Sequence, residues 1–274
     1  MEFTALVSTN EQLEAVLREG RCVSRVILDS AVSDPEGWEA LADRVRAARK
    51  DPWFAFPPVF QARARAYFLK ALPALQKAGF SGFLLRSLEE FAFVRENGLK
   101  GLCQADHSIY AFNSEAKRVL LQSGFDRLTV PLEHSAKDSR DMGVSDMELL
   151  VYGYIPMMVS HNCVHATLEG CDRKGRPLVI TDRLSHAMRH MNDCRFCLST
   201  IYNFVPLYLL DCQKELAILS PSSLRLSFSF ESAAETEGIL RLANESADAL
   251  GNGLSGPAYT TGGFTRGHFK NSVE

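Results

Sequence analysis

Short apolar, β-branched runs alternate with amphipathic stretches along nearly the whole chain. FTALV (3–7), VSRVIL (23–28), WFAF (53–56), GFLLR (82–86), GLCQA (101–105), DRLTV (126–130), ELLVYG (148–153) and LRLSFSF (224–230) predict eight strands. The stretches between them carry helical spacing. Leu13, Val16 and Leu17 share one face of a helix over 10–19. Further helices are predicted over about 35–50 and 61–78, the second stopped by Gly79. Another holds Leu88, Phe91 and Val94 and is stopped by Gly98. One more starts after Asn113 or Ser114, both good N-caps. A short polar helix over 135–142 and a last helix over 232–248 complete the series.

Eight strands, each followed by a crossover, predict an α/β chain folded as a (β/α)8 TIM-like barrel. The alternative is an open doubly wound sheet, but no glycine-rich phosphate loop follows the first strand. The chain of 274 residues is then one domain, 1–274, with an insertion over 154–222 between strands seven and eight. Loops after barrel strands emerge at the C-terminal face, so the insertion is a candidate lid over the mouth. The tail, GPAYTTGGFTRGHFKNSVE, is expected to pack irregularly on the barrel.

Composition narrows the function classes. Net charge is −3, which argues against coating nucleic acid by bulk charge, though not against one local RNA site. Glu2, Glu11, Glu14, Arg18 and Glu19 interrupt the N-terminus, so no signal peptide is expected. The run LLVYGYIPMMV (149–159) is too short to span a bilayer. The expectation is a cytoplasmic protein without a membrane partner. In that reducing setting, clustered cysteines point to metal or redox chemistry rather than disulfides.

Four of the seven cysteines fall in one such cluster, Cys163-x7-Cys171-x22-Cys194-x2-Cys197. Four thiolates suit a tetrahedral zinc or an iron–sulfur cluster, and spacing alone does not separate the two. Buried apolar cysteines are the plain alternative. His186 and His190 would share a face if their segment is helical, and His161 and His165 flank Cys163 as possible outer-shell donors. Cys22, Cys103 and Cys212 fit core positions. No GxSxG or HExxH motif is present.

The segments ELLVYGYIPMMVSHNC (148–163), CRFCLSTIYNFVPLYLL (194–210), LRLSFSFESAAETEGIL (224–240) and FTRGHF (264–269), with AFNSEAKRVLLQSGFDRLTVPLE (111–133), resemble peptidase family U32, the collagenase-like group. The likeness runs from Phe3 to His268 and is greatest to the C-terminal barrel of the long members. It implies a 4Fe–4S cluster on Cys163, Cys171, Cys194 and Cys197, with structural zinc as the alternative. It also implies either oxygen-independent hydroxylation of RNA or a small molecule, or collagenase-like proteolysis. A third option is a non-catalytic subunit working with a second U32-type protein. Tyr154 and Ser227 depart from the family pattern, where a basic and an acidic residue are usual.

Four side chains are candidate catalytic groups, from strand ends or from the resembling motif: Asn113, Glu148, Tyr152 and His161. Each of the first three has a structural alternative: Asn113 as a helix cap, Glu148 as a surface charge and Tyr152 as a packed aromatic. Arg266, His268 and Lys270 form a small basic tail that could meet phosphate.

Overall fold

The computed structural model describes residues 1–168, 170–175, 177–252, 254–259 and 262–270. Strands β1 (Glu2–Val7), β2 (Val23–Asp29), β3 (Asp51–Ala55), β4 (Gly82–Leu85), β5 (Leu102–Ala105), β6 (Arg127–Leu128) and β7 (Glu148–Gly153) pair in parallel with a late strand, Ser223–Ser227. Their order is β7, Ser223–Ser227, β1, β2, β3, β4, β5, β6. A parallel bridge between Thr129 and Glu148 closes the ring, helped by Val130 N donating to Glu148 O at 2.8 Å. The protein is a (β/α)8 barrel, as the alternation of runs predicts.

The crossovers are helices α1 (Asn10–Glu19), α2 (Pro35–Ala47), α3 (Ala62–Lys70), α4 (Leu72–Ala78), α5 (Leu88–Glu96), α6 (Ser114–Gln122) and α7 (Ala136–Met142). Thr9 and Gln12 form a capping box on α1. The single helix expected over 61–78 is broken at Ala71, because Pro73 in the first turn of α4 has no N–H to continue the ladder.

Between β7 and the last barrel strand, a second sheet folds from β8 (Pro156–Ser160), β9 (Leu178–Thr181), β10 (Ala187–Asp193) and β11 (Leu198–Tyr202), antiparallel in the order β8-β11-β10-β9. A short helix, α8 (Val164–Leu168), lies between β8 and β9. The chain returns through β12 (Leu207–Tyr208), antiparallel to the top of β7, and α9 (Gln213–Leu219). The barrel ends with β13 (Ser223–Ser227) and α10 (Ala233–Asn252). His190 therefore lies on a strand and His186 in the turn before it, so they do not share a helix face.

The second sheet sits over part of the barrel mouth. Arg195 Nη1 donates to the carbonyl of Ser30, just past β2, at 2.9 Å. Phe196 packs against Tyr67 and Phe68 of α3, and Arg63 Nη1 approaches Cys197 Sγ at 2.7 Å. On the other side Tyr154, Tyr202 and the Arg189 guanidinium all contact the ring of Phe230, just past β13. In the tail, Thr265 bridges to Leu207, Phe269 is buried, and Arg266 pairs with Asp211. Residues 260, 261 and 271–274 of that tail lie outside the described residues. Among the described residues, no helix is long and apolar enough to cross a membrane.

Inside the barrel the alternation of strand side chains produces two unlike halves. Leu6, Ile27, Trp53, Ala55 and Leu84 form a small apolar cluster of their own. Trp53 fits there because its neighbour is Gly82; a Cβ at that position would lie 2.6 Å from the indole. The other half is polar. Glu148 accepts from Thr4 Oγ1 at 2.7 Å, Gln104 Nε2 at 2.6 Å and Ser223 Oγ at 3.1 Å, and pairs with Arg225 at 3.1 Å. Arg25 stacks on Trp53 and joins the same carboxylate at 3.8 Å.

Removing the carboxylate would take one partner from each of two buried guanidiniums, leaving Asp106 to Arg225 and Glu2 to Arg25. Glu148→Ala is expected to cost about 3–5 kcal/mol in urea unfolding, the range for breaking a buried ion pair from one side. A loss under about 1 kcal/mol would show that the network is dispensable.

Candidate active site at the barrel mouth

The polar half of the interior continues upward to the C-terminal ends of the strands. There Asp29 closes β2, Arg86 follows β4, and Asp106 and His107 follow β5. Arg86 donates to Asp29 Oδ2 at 3.0 Å and to the carbonyl of Phe56 at 2.9 Å, with its Nε 3.7 Å from Asp106. Its backbone N–H donates at 2.7 Å to Glu90, a fully buried carboxyl on α5 that burial pushes up to about 8.

Asp106 is the centre of the cluster. One of its oxygens accepts from the His107 backbone at 2.8 Å, lies 2.9 Å from His107 Nδ1, and accepts from Arg225 Nη2. Burial alone would raise this carboxyl. Arg225 first, then His107 and Arg86, outweigh burial and hold it well below the usual range. Arg225 is likewise kept charged despite burial, by Asp106 and Glu148.

An ionised acceptor 2.9 Å from Nδ1 assigns the proton of neutral His107 to that nitrogen and leaves the lone pair on Nε2. Exposure then separates the roles. The side chains of Asp106 and Arg225 are 3% and 1% exposed, Arg86 is 13% exposed, and His107 is 24% exposed. The group that solvent or a substrate meets is therefore an imidazole with a fixed tautomer, next to a guanidinium.

The residues singled out from the sequence lie elsewhere. Asn113 is the N-cap of α6, accepting from Ala116 N at 2.9 Å, on the surface. Glu148 is the enclosed carboxylate inside the barrel, not a surface charge. Tyr152 is 2% exposed, packs on Phe228, and has its hydroxyl pushed up by burial and then by Glu231. His161 is exposed, with Nδ1 3.2 Å from the carbonyl of Cys197. It lines a cavity of about 260 Å³ with Arg63, Phe196 and Cys197. His186 bonds to Asp182 and stacks on Phe204, while His190 is buried against Ser199.

The four cysteines of the insertion do gather. Burial first, and then the thiols of Cys163 and Cys171, push the Cys194 thiol up, with Cys197 contributing to the same rise. Yet among the described residues no group of three or more His, Cys, Asp or Glu side chains could hold a metal ion. That geometry gives no support to the iron–sulfur chemistry that the family resemblance implies.

Comparison with known proteins corrects the family itself. No family model matches the chain. Similar solved structures include an uncharacterized Bacillus cereus protein, 9% identical, TM-score 0.43, covering 88% of this chain. This chain spans only 65% of that structure. A protein described as a putative fructose-1,6-biphosphate aldolase from Coccidioides immitis is 10% identical with TM-score 0.51, covering 92% of this chain and 91% of its own. A chitinase from Rhizomucor miehei is 10% identical with TM-score 0.46, covering 88% and 98%. At these identities the likeness is one of fold. Since no family model matches the chain, U32 membership falls. With it go the collagenase-like peptidase, the iron–sulfur hydroxylase and the paired U32 subunit.

Sequence reasoning missed Asp29, Arg86, Asp106, His107 and Arg225. Four of the five stand at or just beyond the C-terminal end of a strand, which is the position barrel catalysis uses. The adjacent pair Asp106-His107, directly after GLCQA, was the signal that could have found them.

All seven cysteines are free, and within the cluster Cys171 and Cys197 are exposed. Ellman's reagent on the native protein is expected to modify these two quickly and the others on unfolding. A native protein in which none reacts until a chelator is added would mean that a metal holds the set after all.

Proposed function

We propose that the barrel mouth is the active site of an enzyme that moves a proton on a small anionic substrate. The observation that carries this reading is the Asp106–His107 pair, 2.9 Å apart, at the C-terminal end of β5 beside Arg86. A carboxylate that fixes Nδ1–H leaves Nε2 as a general base of defined direction. Arg86 supplies a fixed positive charge within reach of the same space, suited to an oxyanion.

The reaction class follows from these groups. Nε2 of His107 takes a proton from a carbon next to a carbonyl or carboxylate. The C–H bond breaks, an N–H bond forms, and the electron pair passes to the carbonyl oxygen, where Arg86 holds the negative charge. The imidazolium, stabilised by Asp106, returns the proton to the same or a neighbouring atom. His107 and Arg86 touch substrate in this scheme, whereas Asp106 and Arg225 act through His107 as positioning residues. Seven free thiols favour a reducing, cytoplasmic setting.

The test works with an unidentified substrate. A panel of small oxo- and hydroxycarboxylates and their phosphorylated counterparts is incubated with protein in D2O and read by mass spectrometry. One compound or a narrow set is expected to gain deuterium, and His107→Asn to slow the gain by on the order of 100-fold or more. Exchange into no compound, or exchange retained by the Asn variant, would sink the proposal.

A further inference from the structure

We infer that Tyr110 and Phe112 form a seat for a flat apolar ring attached to the anionic head of the substrate. This rests on the mouth being the active site, and it adds the class of molecule taken there.

The insertion sheet covers only part of the mouth. Its contacts reach the loop after β2, helix α3 and the loop after β13. Among the described residues, no hydrogen bond, ion pair or ring contact joins that sheet to the loop 106–113 after β5. The approach to His107 therefore runs past this loop. Two large aromatic side chains stand on it, Tyr110 at 53% and Phe112 at 48% exposure, three and five residues beyond His107.

These rings are held, not loose. Tyr110 N donates to the carbonyl of His107 at 3.2 Å and Phe112 N to the carbonyl of Tyr110 at 2.7 Å. The Tyr110 hydroxyl donates to Glu133 at 3.2 Å, and Phe112 meets His134 edge-on at 4.8 Å. Rings fixed in advance lose little entropy when a ligand stacks on them.

Backbone strain points the same way. Tyr110 sits at φ 54°, in the left-handed region. For a residue with a Cβ that conformation costs about 1–2 kcal/mol, and glycine or asparagine would fill it more cheaply. Burial does not compensate, since half of the side chain is in solvent. The left-handed turn ends the short 3-10 helix His107–Ile109, so the backbone that positions His107 also presents the Tyr110 ring to solvent.

Isothermal titration with phenyl phosphate and methyl phosphate separates the ring from the anion. The wild type is expected to bind phenyl phosphate about tenfold more tightly, the scale of one or two aromatic contacts. Tyr110→Asn, which suits the left-handed turn, and Phe112→Ala should each shrink that ratio several-fold while leaving methyl phosphate binding unchanged. A ratio near one in the wild type, with methyl phosphate still bound, overturns the aromatic seat alone. So does a ratio that survives both substitutions. Failure of both phosphates to bind overturns the seat together with the anion site beneath it, and deuterium exchange judges His107 separately.

Discussion

One guanidinium joins the inside of this barrel to its mouth. Arg225 lies between Glu148, deep among the strands, and Asp106, at the level where the loops begin. Arg225 could not be buried without charges of opposite sign, and these two carboxylates supply them, with Arg25 also beside Glu148 and Arg86 and His107 beside Asp106. The three groups therefore belong to one linked network. Their arrangement fixes the position of Asp106 to within the tolerance of its hydrogen bonds. The bridge between Thr129 and Glu148 closes the ring of strands at the same residue, so barrel closure and site geometry share one anchor.

From that anchor the mouth follows in steps. Asp106, held ionised, orients His107. Arg86 is tied down from three directions: Asp29, the carbonyl of Phe56, and Glu90 beneath its own N–H. A site built this way has its dipoles and charges in place before a ligand arrives, which is the condition under which electrostatic stabilisation is strongest. The insertion completes the enclosure on the side of β13, β1, β2 and β3. It does so with aromatic and arginine contacts around Phe230 and Phe196, and it brings the Tyr202 hydroxyl within electrostatic reach of Asp29 and Arg86. The loop after β5 stays open beside His107, the most exposed member of the cluster around Asp106.

The barrel was legible because its signals are local. Each strand is a short apolar run bounded by breakers, and several crossover helices show their own caps, as Thr9, Ser87, Asn113 and Ser135 do. The break at Ala71 needed only Pro73 to be given full weight. The site was harder to read because its meaning is tertiary. Glu148 and Arg225 look like two unrelated polar interruptions in apolar strands, and only the closed ring shows that they face each other. Asp106 and His107 are adjacent in sequence, but a carboxylate beside a histidine means little until burial and Arg225 fix its charge. The cysteine spacing drew attention to the insertion instead. Those thiols do converge on Cys194, yet they form no ligand set among the described residues, so the local pattern pointed away from the mouth.

The central claim is that Asp106 fixes the proton of neutral His107 on Nδ1 and leaves Nε2 free to act as a base. Long-range 1H–15N correlation spectra of the imidazole, recorded on protein labelled at histidine and held at alkaline pH, read that proton directly. The account predicts a protonated Nδ1 and a bare Nε2 for His107, with the assignment lost in Asp106→Asn. A His107 that carries its proton on Nε2 in the wild type would contradict it.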